Sequence, residues 1–265
     1  MPALPLSVRF ALWATAAVHD RSEADAGAGS AVDRAVAGAH PDVDHVTGDP
    51  GARLELWRDF GESAVLVALP RPGDLTGMPR CSLDASGAAA VAGECVYVAG
   101  MGGLLVPTMS TFGPVDDEGT AVEWTAYDSE PVPRYQLEAL SLRDLERELT
   151  QSVQDGADAL EAVEGRPWSS APRESTERRL GARTMTQLGV PEGTSPRALR
   201  AMLSAARVSV IVDEGLRLAA TPSLDLYSSG RREVGLRSLQ SVADRVLAGA
   251  TNLAVMELAG WRPAT

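Results

Sequence analysis

The chain has 265 residues and is 45% apolar, which is enough to bury a core in one large domain or in two smaller ones. Its formal net charge of -12 repels phosphate backbones and argues against general DNA or RNA binding. Charged residues interrupt every apolar run well before the roughly 18 residues that a membrane span needs, so we expect no membrane protein.

The charge is unevenly distributed along the chain. Residues 1–135 carry 8 arginines and 19 acidic residues, whereas residues 136–265 carry 16 arginines and 17 acidic residues. A nucleic-acid role would therefore depend on arginines of the second half. Acidic residues alternate with them, so we expect ion pairs on a solvated face and not a basic stripe. The arginines concerned are Arg197, Arg200, Arg207, Arg217, Arg231, Arg232, Arg237 and Arg245.

The first predicted elements are helices. Val8, Leu12 and Ala16 recur at helical spacing and predict a first helix. A capping-box pattern that starts at Ser30 predicts a second helix. The glycine-rich turn at residues 48–51 then leads into a short third helix.

Two short apolar runs, at residues 64–69 and 95–99, predict buried strands. The alanine-rich segment between them, at residues 84–93, predicts a helix. Because a strand, a crossover helix and a strand usually form a right-handed parallel unit, we expect these two strands to be parallel. The glycines at residues 100–103 then predict a hairpin into a strand at residues 104–107.

The sheet is predicted to be mixed, and helices are predicted to follow it. Residues 121–127 alternate apolar and polar side chains, as a half-buried strand does. From Ser141 onward the apolar period is helical and predicts three long helices, at about residues 141–164, 195–212 and 231–258. The apolar face of the first of these consists of Leu145, Leu149, Val153 and Leu160.

These patterns predict an α+β fold. Residues 1–135 form a small mixed β-sheet with helices, and residues 136–265 form an all-helical region with three long helices. Prolines at residues 131–133 mark the junction. Two arrangements remain open, because the helices can form a bundle of their own or pack on the sheet as one continuous domain.

A glycine cluster and a cluster of histidines and carboxylates invite a functional interpretation, but neither has the residue spacing of a known phosphate-binding or metal-binding motif. Gly100, Gly102 and Gly103 follow a strand, yet no helix N-terminus stands behind them to hold a phosphate, so we predict only a hairpin turn. The second cluster contains two histidines and two carboxylates without a zinc pattern, so we predict a solvated loop, no metal and no cofactor. Its members are His40, Asp42, Asp44 and His45.

An acidic segment between the last two predicted strands is the candidate active site. Its glycines, prolines, carboxylates and aromatic residues are typical of a ligand-binding loop on a rigid scaffold. The alternative is an ordinary surface hairpin with Trp124 in the core. The candidate acids, bases or metal ligands are Asp116, Asp117, Glu123 and Asp128.

The same segment resembles a known family. The pattern T-F-G-P-x-D-D-x-G-T-x-V-x-W-T-A-Y-D, which begins at Thr111, and the predicted helix at residues 195–212 resemble a family of uncharacterised conserved actinobacterial proteins. The resemblance extends over most of the chain. It implies no activity, cofactor or fold, and no functional residues are carried over from it.

The leading functional hypothesis is a cytoplasmic, non-catalytic interaction or regulatory protein, because no catalytic constellation with suitable spacing is present. Two cysteines without a disulfide framework, Cys81 and Cys95, agree with a reducing compartment. The alternative is an enzyme of unknown class with an acidic site around residues 112–128. We expect no nucleic-acid or membrane partner, and an apolar helical face can support a homo-oligomer. A deep pocket with convergent carboxylates near Trp124 would favour the enzyme.

Overall fold

The computed structural model describes residues 4–19, 31–114, 117–161, 189–219 and 226–263. These residues contain helices α1 (Leu6–His19), α2 (Ala31–Ala39), α3 (Pro50–Asp59), α4 (Leu83–Ala92), α5 (Arg134–Glu138), α6 (Leu142–Glu161), α7 (Pro196–Ala219) and α8 (Leu226–Leu258). The strands are β1 (His45–Thr47), β2 (Leu66–Ala68), β3 (Cys95–Tyr97), β4 (Leu104–Phe112) and β5 (Gly119–Tyr127). The predicted α+β class, with the sheet first and long helices after it, is confirmed.

The five strands form one mixed sheet in the order β1-β5-β4-β3-β2. Strands β1 and β5 are parallel, and the other neighbours are antiparallel. The prediction of a parallel pair at residues 64–69 and 95–99 is wrong, because β2 and β3 run antiparallel with Val67 opposite Val96. Strand β3 begins at Cys95, opposite the last residue of β2, Ala68, so the segment between the two strands returns to the end of the sheet where β2 finishes.

The predicted hairpin at the glycine cluster is confirmed. Strands β3 and β4 pair antiparallel, with Val96 opposite Leu105. Gly102 has a φ of 80°, and a Cβ atom there would lie 2.1 Å from the carbonyl oxygen of Ser129. Only glycine fits this close approach. The Glu62 carboxylate accepts a hydrogen bond from the Met101 amide and fixes the turn from the other side.

Helix α1 closes one part of the core. The Phe10 ring packs against the Trp124 ring at a centroid distance of 4.7 Å, and both residues are buried. The Thr15 hydroxyl accepts a hydrogen bond of 2.9 Å from the amide of Val65, just before β2. This bond anchors the helix to the sheet through a backbone group that would otherwise lose its partner.

Helix α8 covers the free edge of the sheet at β2. The Asn252 side chain accepts a hydrogen bond of 2.8 Å from the Val67 amide and donates one of 3.0 Å to the Val67 carbonyl. It therefore pairs with the edge strand as a neighbouring strand would. Helix α8 also packs against α1, α6 and α7. The hydrophobic core is consequently continuous from the sheet into the C-terminal helices. The division at residue 135 stays a prediction.

The apolar stripe of α6 is buried only in part. Leu145 and Leu149 are buried, whereas Val153 is 39% exposed, contrary to the prediction. The half-buried positions that follow Leu149 are Ser152 and Gly156, and the latter lies under Leu239 of α8. The residues of α6 that contact other helices therefore recur with the 3.6-residue period of an α-helix, and Val153 is not one of them. The side chain of Leu160 lies outside the described residues.

Ion pairs form at four of the arginines for which they were predicted, Arg197, Arg217, Arg237 and Arg245. Arg197 pairs with Glu146, and Arg245 pairs with Glu148, so both link α6 to another helix. Pairs within one helix join Arg217 to Glu214 and Arg237 to Glu233. In the described part of the chain, no helix combines the length and the apolar character that crossing a bilayer requires.

Candidate functional site

The three acidic candidates that the structure describes do not converge. Asp117 is exposed in the turn between β4 and β5, and Glu123 is exposed on β5 opposite Thr108. Asp128 is exposed just after β5, where it lines a small cavity of about 400 Å³. Asp116 lies outside the described residues. Their catalytic role stays a prediction.

Trp124 lies in the core, as the alternative interpretation of this segment expects. It is buried, and its indole Nε1 donates a hydrogen bond of 2.9 Å to Nε2 of His40. Because an indole nitrogen can only donate, His40 Nε2 is unprotonated, and Nδ1 donates to the Val36 carbonyl at 2.6 Å. Burial lowers the pKa of His40, and nearby Arg9 acts in the same direction. His40 is therefore a neutral core residue.

The rest of the histidine and carboxylate cluster is dispersed. His45 stacks on Phe112 at 5.0 Å, and one Asp44 oxygen accepts a hydrogen bond of 2.8 Å from the Thr120 amide. Asp42 lies 3.5 Å from Arg9. Among the residues that the structure describes, no three His, Cys, Asp or Glu side chains gather closely enough to hold a metal ion.

A large cavity lies elsewhere, where the sheet edge meets α8. We call it the junction cavity, and its volume is about 660 Å³. Its walls come from β2 and β3, from the loop at residues 74–80, from residues 130–140 and from residues 241–252 of α8. This volume suits a small organic molecule. The apolar part of the lining includes Val67, Leu69, Met78, Leu137, Leu140 and Ala248.

Two carboxylates in the cavity wall already have partners. Asp244 is buried and accepts two hydrogen bonds from Arg71, at 2.8 and 3.3 Å. Burial raises the pKa of Asp244, and the bonds to Arg71 oppose that rise. Asp74 accepts hydrogen bonds from the Ser241 hydroxyl and from the Thr76 amide, and these bonds lower its pKa. The bonds from Arg71 to Asp244 and from Ser241 to Asp74 attach the loop after β2 to α8. The bond from the Thr76 amide to Asp74 lies within the loop.

Three other polar groups of the junction cavity have no such partner. Tyr97 is only 3% exposed as a residue, but its hydroxyl oxygen reaches the open space of the cavity, where it makes no hydrogen bond with any described residue. Burial raises the pKa of Tyr97, so the phenol stays protonated and can donate. Arg80 and Glu130 also line the cavity and are exposed, and neither side chain forms an ion pair within the described ranges. These three groups can form hydrogen bonds or ion pairs with a ligand.

The cavity could not be predicted from the sequence, because its walls come from distant parts of the chain. The Val67 amide and the Asn252 side chain that it binds are 185 residues apart. Only the proline-marked junction at residues 131–133 pointed to the right place, since these prolines and Val132 form one wall. Neither Arg80 nor Glu130 belongs to a motif.

The fold and the cavity define an α+β protein with a ligand-sized cavity between its sheet and its C-terminal helices. A sequence model of the Rv1486c-like protein, N-terminal domain, matches residues 7–137, and one of the Rv1486c-like protein, C-terminal domain, matches residues 143–248. The chain therefore belongs to the Rv1486c-like family, whose members are uncharacterised. A search of curated proteins and a search of solved structures found no match. Both matched segments contribute to the cavity walls.

Proposed function

We propose that the protein acts in the cytoplasm as a non-catalytic regulatory protein that binds a small organic molecule in the junction cavity. The observation that carries this proposal is the cavity of about 660 Å³, whose lining joins an apolar wall to three polar side chains, Tyr97, Arg80 and Glu130, without hydrogen-bond or ion-pair partners among the described residues. Such side chains can bind water in an open cavity, and a ligand with matching groups can replace that water. A bound ligand would supply partners for all three.

Two of the three carboxylates in the cavity lining are engaged and only the exposed Glu130 is open to a ligand, so the lining offers no pair of free carboxylates, which favours binding over catalysis. A general acid or base must be free to exchange a proton with the substrate. Asp244 is held by Arg71, and Asp74 is held by Ser241 and Thr76. Both carboxylates thus maintain the walls of the cavity, and a ligand meets a largely preformed site.

A regulatory role agrees with the composition of the walls. Residues 74–80 and 130–133 belong to the segment matched by the N-terminal family model, whereas Ser241, Asp244 and Arg245 belong to the segment matched by the C-terminal one. A ligand that contacts both segments stabilises their packing. This stabilisation amounts to about 2.7 kcal/mol when the free ligand exceeds its Kd a hundredfold.

The test is a screen of a metabolite library by thermal denaturation of the full chain. Ala248 lines the cavity on α8, so Ala248→Trp fills the space without removing a hydrogen bond. Ser238→Trp places the same side chain at an exposed position of α8 and serves as the matched control. We expect hits that raise the Tm of the wild type and of Ser238→Trp but not that of Ala248→Trp. A library without hits, or hits that Ala248→Trp does not affect, contradicts the proposal.

The alternative function is an enzyme with its acidic site around residues 112–128. Of the described candidates, Asp128 carries this alternative, since it lines the smaller cavity together with Arg53 and Ser82. If compounds from the same library bind Ala248→Trp but not Asp128→Asn, the ligand site is the smaller cavity and not the junction cavity.

A further inference from the structure

Arg80 and Glu130 form an open pair of opposite charges at the junction cavity. The Glu130 amide donates a hydrogen bond of 2.7 Å to the Arg80 carbonyl, next to the antiparallel bridge between Cys81 and Ser129. Residues that lie opposite each other in an antiparallel pair project their side chains to the same side. Both residues line the cavity, and their side chains do not pair with each other.

The other charged side chains of the cavity lining have partners. Arg245 binds Glu148, and Asp244 binds Arg71. Asp74 holds two hydrogen bonds. Within the described residues, the charges left for a ligand are therefore one guanidinium and one carboxylate, beside an apolar wall.

This combination selects the charge of the ligand. An anion that pairs with Arg80 places like charge beside Glu130, and a cation that pairs with Glu130 places like charge beside Arg80. A zwitterion satisfies both side chains at once. Its apolar part can then lie against Met78, Leu137 and Ala248, which line the same cavity.

We infer that the ligand is a zwitterion with an apolar substituent, such as an α-amino acid or a short peptide. Arg80 binds its carboxylate and Glu130 binds its ammonium group. The carboxylate retains lone pairs that can accept a further hydrogen bond, for example from the Tyr97 hydroxyl. This inference rests on the proposed function, because it names the ligand class of the same cavity.

The experiment is isothermal titration calorimetry of the full chain with three probes of similar shape. L-Phenylalanine carries both charges, hydrocinnamate carries only the carboxylate, and phenethylamine carries only the ammonium group. We expect L-phenylalanine to bind more tightly than either analogue by up to about 5-fold, since a single exposed ion pair contributes up to about that factor.

Three variants assign the charges to their residues. Arg80→Gln should weaken L-phenylalanine and hydrocinnamate by about 5-fold and leave phenethylamine unaffected or bound more tightly. Glu130→Gln should weaken L-phenylalanine and phenethylamine and spare hydrocinnamate. Both positions are exposed, so the fold tolerates these changes. Arg58→Gln, at an exposed position of α3 outside the cavity lining, should leave all three affinities unchanged.

The outcomes separate this inference from the proposed function. If an analogue binds as tightly as L-phenylalanine, or if the variants do not follow the charge pattern, the ligand is not a zwitterion. If no probe binds, the inference is wrong as well. In each case Ala248→Trp and the library screen decide on their own whether the cavity binds other small molecules.

Discussion

Replacing Asn252 removes the side chain that pairs with the sheet edge. Asn252 binds the amide and the carbonyl of Val67 at 2.8 and 3.0 Å. Asn252→Ala removes both hydrogen bonds and leaves the two backbone groups without partners. Each buried backbone group left unpaired costs about 1–3 kcal/mol. Val67 and Asn252 both line the junction cavity, so water can reach the exposed groups and the lower end of that range applies. We therefore expect a loss of about 2–3 kcal/mol in the free energy of unfolding.

The measurement is urea denaturation followed by circular dichroism, with Tm as a second readout. A loss of this size corresponds to a fall in Tm of about 5–10 °C for a chain of this length. Asn252→Asp keeps the acceptor for the Val67 amide but removes the donor and adds a buried charge, so it should be at least as harmful. Ser238→Ala, at an exposed position of α8, should change stability by less than about 0.5 kcal/mol. A cost below about 1 kcal/mol for Asn252→Ala would refute the idea that this side chain seals the edge.

Three further predictions concern stability and binding. The pKa of His40 is lowered from 6.5 in the folded chain, so the unfolded chain binds the proton more readily and stability should fall as the pH drops below about 6.5. His40→Gln should therefore reduce the difference between the urea midpoints measured at pH 7 and at pH 5. Leu149→Ala should cost about 2–5 kcal/mol and the exposed Val153→Ala less than about 1 kcal/mol, and equal costs would mean that the phase of α6 is misassigned. The acidic chain should not bind duplex DNA at physiological salt, which micromolar binding in a polarisation assay would contradict.

Features that depend on neighbouring residues could be predicted from the sequence. The period of the apolar residues predicted α6, α7 and α8, although α8 begins at Leu226 and not near residue 231. The glycines at residues 100–103 predicted the hairpin, because positive φ angles in a tight turn favour glycine. Alternating acids and arginines predicted the ion pairs within α7 and α8, Arg217 with Glu214 and Arg237 with Glu233, but not the pairs that reach Glu146 and Glu148 on α6.

Features that depend on distant residues could not be predicted. A strand, a helix and a strand do not specify at which end of the sheet the chain returns, and here β3 begins beside the last residue of β2 and runs antiparallel to it. Val153 of α6 is exposed, whereas Gly156 of the same helix is covered by Leu239 of another helix. The junction cavity has the same origin, since Tyr97, Glu130 and Ser241 meet only in the folded chain.

Helix α8 has a mechanical consequence that follows from its length. Its 33 residues span about 50 Å, more than the width of a small domain. The cavity lies beside residues 241–252, so the first 15 residues form an arm of about 22 Å beyond it. Helix α7 accompanies this arm, with Gly215 packed under Leu236. A tilt of about 5° at the cavity would swing the tip of the arm by about 2 Å, which is enough to break or form a contact there.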